Sequence, residues 1–235
     1  MRIVPLIQAR MSSRRLPGKI LASLGSTTLL GLILENLAHC PEVEAPWIAT
    51  SEHASDDPVA RFAKSKGVAC YRGSLNDVAL RLLRSAEAAG AAAIVRVNGD
   101  SPLLDPALIG QAARLMIAEP VDLVTNVLVR SFPKGQSVEI ISRTALAKAV
   151  AAMTTPDERE HVTLHFYRHP ERYRISSFAA ESPRPELQLS VDDRADLRRC
   201  ADILSRIGRP AWQAGWRACA AAADELAELT RKNDR

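Results

Sequence analysis

The sequence is poor in aromatic residues: Phe, Trp and Tyr make up 4% of its 235 positions. A protein that grips single-stranded nucleic acid by stacking bases on its rings needs more of them. Charge of one sign is also scarce. With 31 basic and 27 acidic residues the net charge is +4, too mild for binding a phosphate backbone and in keeping with a solvated surface. The four cysteines, Cys40, Cys70, Cys200 and Cys219, stand far apart with no CxxC pair. That spacing speaks against a zinc knuckle or a disulfide framework and fits reduced thiols in a cytosolic protein. No apolar run approaches the roughly twenty residues of a membrane span. The short run Arg2 to Gln8 is followed at once by Arg10, Arg14 and Arg15, unlike a signal peptide, and the alanine run Ala218 to Ala223 sits near charges and reads as helix. These absences predict a cytoplasmic protein with no nucleic-acid partner and no membrane segment. The remainder, 47% hydrophobic and 25% charged, is the composition of a globular chain that builds its core without staples.

Apolar periodicity gives the organisation. Ile3 to Ile7 reads as a buried strand, followed by a basic loop from Gln8 to Lys19 and a helix on Leu29, Leu30, Ile33, Leu34 and Leu37. A strand near Trp47 to Ala49 precedes a helix capped by Asp57 with Pro58 in its first turn. Val68 to Tyr71 and Ala93 to Val97 are further strands, Val78 to Ala89 a helix, and Asp105-Pro106 opens another. Strand–helix alternation over residues 1–120 predicts an α/β fold, a mostly parallel sheet flanked by helices on both faces. After Pro120 the pattern loosens. Val138 to Ile141, Tyr173 to Phe178 and Leu187 to Val191 read as strands, the last two as antiparallel. Thr155-Pro156-Asp157-Glu158 is a capping box opening a helix to about Arg168, and two helices, Ala195 to Ile207 and about Ala211 to Lys232, close the chain. The expectation is one domain over 1–235 with a smaller α+β subdomain inserted at 126–186. Ligands of open parallel sheets sit at the carboxyl ends of the strands, which singles out the loops at Gln8–Lys19, Arg72-Gly73 and Asn98-Gly99-Asp100.

The loop from Gln8 to Lys19 carries the strongest chemical signal. It places Arg10, Arg14, Arg15 and Lys19 within ten residues, with Ser12, Ser13 and Gly18 allowing backbone N–H groups close to an anion. A nucleoside triphosphate, with about four negative charges, calls for this mixture. The loop is neither a Walker motif, since Ser13 stands where the first glycine belongs, nor a dinucleotide fingerprint, since no GxGxxG follows the strand. On charge alone, a solvated basic loop would account for it equally well.

Ala9, Arg10, Ser13, Arg15, Leu16, Pro17, Gly18 and Lys19 resemble the opening motif of the CMP-sugar synthetases. Within that superfamily the chain looks most similar to the spore-coat polysaccharide biosynthesis cytidylyltransferase-like proteins. The resemblance continues through Tyr71-Arg72-Gly73-Ser74 with Asp77, Val78 and Arg81, through Asn98 to Leu103 with Asp105, through Arg159 to Thr163, and through Ser190-Val191-Asp192. It implies an Mg²⁺-dependent nucleotidyltransferase that uses CTP and a sugar or sugar acid, releases pyrophosphate, and forms a homodimer, with the 126–186 segment as a plausible interface. It assigns Gln8, Ala9, Arg10, Ser13, Arg15, Lys19, Arg72 and Asn98 to the nucleotide, Arg15, Lys19 and Asp100 to catalysis, and Asp100 and Asp192 to the metal. Arg159, Glu160 and His161, with Glu139, are assigned to the acceptor sugar. Departures at Asn98, Lys134, Gln136 and Ser137 fall where the sugar should bind, so its identity is not indicated.

Two aspartates, each placed just after a hydrophobic strand, suit a cation that combines one or two carboxylates with phosphates and waters. Each also has an ordinary reading. Gly99-Asp100 is a common turn pair, and Asp192 precedes a helix that it, or equally Asp193, could cap. His161, His165 and His169 recur at four-residue steps and on one helix would share a face with Glu158. HExxH is absent, so a sugar-facing or structural role is expected for them rather than zinc. A glycosyltransferase on a similar sheet would want a second acid after Asp100, where Ser101 and Pro102 stand. A catalytically silent nucleotide-binding protein would not need Arg15, Lys19, Asp100 and Asp192 together.

Overall fold

A computed structural model describes residues 1–233. The first half runs β1 (Ile3–Gln8), a hairpin of β2 (Ser23–Leu24) and β3 (Thr27–Thr28), α1 (Leu29–Ala38), β4 (Trp47–Ser51) and α2 (Asp57–Ser65). It continues with β5 (Cys70–Gly73), α3 (Val78–Ala88), β6 (Ala93–Asn98) and α4 (Pro106–Ala118). The second half holds β7 (Leu123–Thr125), β8 (Glu139–Ser142), α5 (Arg143–Ala152), α6 (Pro156–Glu160), α7 (Leu164–Arg168), β9 (Ile175–Ser177), α8 (Arg194–Ile207) and α9 (Ala211–Asn233).

Seven strands form one sheet in the order β5-β4-β1-β6-β8-β7-β9. β1 and β6 are almost wholly buried apolar runs, as central strands covered on both faces must be. Leu29, Ile33, Ile109, Ile203 and Trp216 pack on one face of the sheet. Leu82, Leu146 and Phe166 pack on the other. The α/β fold with helices on both faces is as the sequence predicts. β8 alone runs against its neighbours, antiparallel to both β6 and β7. Its reversal brings its first residue, Glu139, to the edge where the parallel strands end, opposite Thr125. In the same edge row Gln8 pairs with Asn98 and Ala49. The segment 126–186 thus adds two strands, β8 and β9, to the central sheet.

Several elements differ from the sequence expectation. β9 lies parallel to β7, not antiparallel, because α5, α6 and α7 carry the chain back across one face before it enters the sheet. Leu187 to Val191 is no strand. It follows Pro133–Gly135 through a single bridge, Lys134 to Gln188, with the Lys134 amide on Leu187 O at 2.8 Å. The helix from Pro156 breaks at His161, whose φ/ψ of −104°/66° is not helical, and restarts at Leu164. β5 begins at Cys70 rather than Val68. The helix expected to be capped by Asp57 has Asp56 at that position, and the Asp56 side chain caps nothing. It is used elsewhere. Among the described residues no helix is long and apolar enough to cross a membrane.

Candidate active site

At Gln8 the chain leaves β1 and folds into a compact basic loop. The Met11 carbonyl accepts from the amides of Ser13 and Gly18, both at 2.9 Å, and the Ser13 hydroxyl accepts from the Leu16 amide at 3.3 Å. Gly18 has φ +75°, a left-handed conformation that disfavours any side chain there. The loop is anchored from below by Asp56, fully buried, which accepts from the Met11 amide at 2.7 Å and from the Ser51 hydroxyl at the end of β4. A carboxylate without solvent is tolerable there because a donor meets each of its oxygens.

Lys19 closes the loop and points across the end of the sheet. Its ammonium donates to the Val191 carbonyl at 2.7 Å and stands 3.7 Å from Asp100 and 3.6 Å from Asp192. Arg15 reaches Asp192 at 2.8 Å. The two aspartates stand far apart in the chain, and their segments are joined by a backbone bond, Val191 amide to Asp100 carbonyl, at 2.8 Å. Gly99 permits this packing, since a Cβ there would lie 2.5 Å from the Gln8 carbonyl and 2.7 Å from Ile20. Asp193, not Asp192, caps α8, in a reciprocal box with Asp196. That division leaves Asp192 turned toward the cations. An oxygen-only pair of partly exposed carboxylates beside a cationic loop fits a hard cation such as Mg²⁺.

Beside the loop lies a cavity of about 300 Å³ lined by Gln8, Arg10, Lys19, Arg81, Arg96, Asn98, Asp100, Glu160 and His161. Its buried side holds polar atoms without protein partners: Gln8 Oε1, Arg81 Nε and Nη2, and Arg96 Nε. Arg81 is 1% exposed and donates from Nη1 to the carbonyls of Ser74 and Leu75. Burial foremost, and then the like charge of Arg10, push its pKa down to about 10, so it stays a cation at neutral pH. Buried donors and acceptors without partners are rare, and beside a polar cavity a bound ligand is one explanation for them. An outer chamber of about 960 Å³ adds Arg14, Arg15, Asn76 and Asp192. A third chamber of about 270 Å³ runs the other way, over Arg96, Asn98, Arg130, Glu139 and Tyr167.

The residues expected to meet the nucleotide divide. Gln8, Arg10, Ser13, Lys19 and Asn98 line the inner cavity, and Arg15 the outer chamber. Ala9 is fully buried beneath the loop, its amide bonded to Ala49. Arg72 turns back to the β4–α2 turn, donating to the carbonyls of Ser51 and His53 and pairing with Asp57 at 2.7 Å. Neither lines any of the three chambers. On the acceptor side, Glu160 lines the cleft wall and pairs with Arg10 at 2.6 Å. Glu139, buried, accepts from Arg96 and from the Tyr167 hydroxyl, both at 2.6 Å. Burial, reinforced by the Glu139 charge, keeps Tyr167 protonated far beyond its ordinary range. Arg159 faces away from the chambers, bonded to Asp77 at 2.5 Å and to the Met153 carbonyl. The three histidines do not share a face. The break at His161 turns that ring to the cleft, while His165 and His169 gather round Glu158.

A family model described as cytidylyltransferase matches residues 4–199. The chain belongs to the cytidylyltransferase family. It is 29% identical over 213 residues to the spore coat polysaccharide biosynthesis protein SpsF of Bacillus subtilis, covering 88% of each chain. It is 36% identical over 121 residues to the 3-deoxy-manno-octulosonate cytidylyltransferase of Solibacter usitatus, covering 51% of this chain and 46% of that protein. The solved structure of a cytidylyltransferase from Leptospira borgpetersenii is similar over 100% of this chain and 95% of its own, with a TM-score of 0.86 and 30% identity.

For a cytidylyltransferase the most informative residues that sequence reasoning left without a role are Arg81, Arg96 and Asp56. Arg81 carried a signal. It interrupts the apolar stripe of Val78, Ala79, Leu82, Leu83 and Ala86, and a lone charge on a buried helix face demands a partner. Arg96 inside the apolar run of β6 carried a similar one. Asp56 did not, for in sequence it is indistinguishable from a helix cap.

Proposed function

We propose that this protein transfers CMP from CTP to a hydroxyl group of a sugar or sugar acid, releasing pyrophosphate, for the synthesis of surface polysaccharide or another glycan. The observation that carries the reading is the convergence of Lys19, Arg15, Asp100 and Asp192 beside a cavity that Gln8, Arg81 and Arg96, with their buried unpartnered polar atoms, also line. A nucleoside triphosphate has that polarity, with a hydrogen-bonding base at one end and concentrated charge at the other. Arg81 Nε and Nη2 would donate to the acceptor atoms of the cytosine ring, with the Gln8 amide beside them. Arg10, the Ser13 region, Arg15 and Lys19 would hold the phosphates, trading their present carboxylate partners for phosphoryl oxygens.

Asp100 and Asp192 are the pair suited to hold Mg²⁺, which when bound neutralises charge on the phosphoryl oxygens. The acceptor would lie over Arg96, Glu139 and Asn98, with its hydroxyl in line with the α-phosphorus. Its oxygen bonds to phosphorus as the bond to the β-phosphate oxygen breaks, and the electron pair departs with pyrophosphate. Lys19 and Arg15 stabilise the charge that builds on that leaving group, so fixed electrostatics supply most of the rate. The curated relative named for 3-deoxy-manno-octulosonate and the one named for spore coat polysaccharide support a sugar acceptor.

The test is a pyrophosphate-release screen of the four nucleoside triphosphates against a panel of nonulosonic acids and sugar phosphates. Release is expected with CTP in the presence of Mg²⁺, at least one acceptor, and not after chelation by EDTA. Release that is indifferent to the acceptor, or none with any pair, would count against the reading.

A further inference from the structure

Among the described residues His161 stands at a place no other side chain shares. The inner cavity, the outer chamber with Arg15 and Asp192, and the chamber over Glu139 have one lining residue in common, and it is His161. If the base lies in the first, the leaving phosphates in the second and the acceptor in the third, the attacking hydroxyl meets the α-phosphorus beside this ring. The backbone break between α6 and α7 puts it there. A continued helix would have carried the ring round with the α6 surface.

The other groups facing that junction that could take a proton are engaged. Glu160, next in the chain, is held by Arg10 at 2.6 Å and does not line the chamber over Glu139 where the acceptor would lie. Glu139 on β8 is held by Arg96 of β6 and by the Tyr167 hydroxyl of α7. Asp100 and Asp192 face Lys19 and Arg15, and Asp157 faces Arg168 at 3.9 Å. Arg81 is a cation without a free electron pair. Among the described residues the His161 ring makes no hydrogen bond and no ion pair. Its backbone alone is committed, the amide to Asp157 and the carbonyl to Leu164.

On the reading proposed above, we infer that His161 is the general base of the transfer. A ring nitrogen of neutral His161 accepts the proton of the acceptor hydroxyl as that oxygen bonds to the α-phosphorus and pyrophosphate leaves with the electron pair of the broken P–O bond. The imidazolium formed returns the proton to solvent after release. Histidine is the side chain whose ordinary titration lies across neutrality, which suits it to this role.

The experiment compares wild type with His161→Gln and His161→Ala. It uses CTP, Mg²⁺ and the sugar acid that wild type accepts, with 3-deoxy-manno-octulosonate the first one tried. Glutamine keeps a hydrogen bond but takes no proton, so kcat should fall about a hundredfold while CTP affinity by calorimetry is unchanged. The rise of wild-type kcat from acid toward neutral pH should vanish in both variants, and added imidazole should restore part of the His161→Ala rate. A variant kcat within about threefold of wild type, with the acid limb intact, would overturn the assignment while leaving the cytidylyl transfer standing. The same holds for a slow variant whose acid limb persists and which imidazole does not rescue. Wild type that releases no pyrophosphate from CTP with any sugar of the panel would instead remove the reading and the base together.

Discussion

At the scale of single residues the site works by division of labour between chain neighbours. Asp193 takes the cap of α8, and Asp192 is left for the cleft. Glu160 meets Arg10 while Arg159, one position earlier, faces Asp77. Lys19→Ala and Asp100→Ala are each expected to lower kcat at least about a hundredfold in the pyrophosphate assay, the scale of one lost transition-state contact. Near-normal turnover in both would remove the mechanism. Arg81→Met keeps bulk but no donors, and on the base-recognition role it should raise KM for CTP about tenfold, the loss of one charged hydrogen bond. An unchanged KM would assign Arg81 to fold stability. These residues were unequally legible. Arg10, Arg15 and Lys19 announce themselves because like charges crowded into one loop want an anion. The Arg96–Glu139–Tyr167 network joins partners 28 to 71 positions apart on three elements, and no local pattern marks them as a unit.

At the scale of elements, the sequence predicts strands and helices well where burial is two-sided and periodic, as for β1, β6, α1 and α4. It predicts them poorly where tertiary contacts set the backbone. Leu187 to Val191 has the composition of a strand but bridges a loop, because Lys134 and Asp100 claim its backbone groups. The helix break at His161 is likewise invisible in periodicity, yet it decides which histidine faces the cleft. Just before the break, Glu158 accepts from the Thr154 and Thr155 amides, the Thr155 hydroxyl and His165. Desolvation opposes its charge, but these hydrogen bonds outweigh it and hold its carboxyl down to about 2, against an ordinary 4.5. A depressed folded-state value gives stability that is present above about pH 4.5 and lost as the pH falls toward 2. Thermal midpoints followed from pH 6 to pH 3 by circular dichroism should therefore drop less steeply in Glu158→Gln than in wild type, though the variant starts lower. Parallel pH profiles would show that Glu158 contributes nothing through its charge.

At the scale of the whole molecule, the crevice follows from topology. Parallel strands end on one edge, and the loops leaving β1 and β6 meet there as the rule for open sheets requires. That much was legible from the alternation of strands and helices. The reversal of β8 was not, and it is what brings Glu139 to the same edge as Asn98. The chain at Val191 and Asp192 returns to the Lys19 ammonium, so groups from residues 8–19, 96–100, 139, 160–161 and 192 close round one cleft. The most direct test is a crystal structure of the protein soaked with CTP and Mg²⁺. The account predicts triphosphate density along the Arg10–Lys19 loop, the cytosine against Arg81 and Gln8, and one ion coordinated by both Asp100 and Asp192. Nucleotide bound elsewhere, or a crevice left empty with the two carboxylates pointing apart, would contradict it.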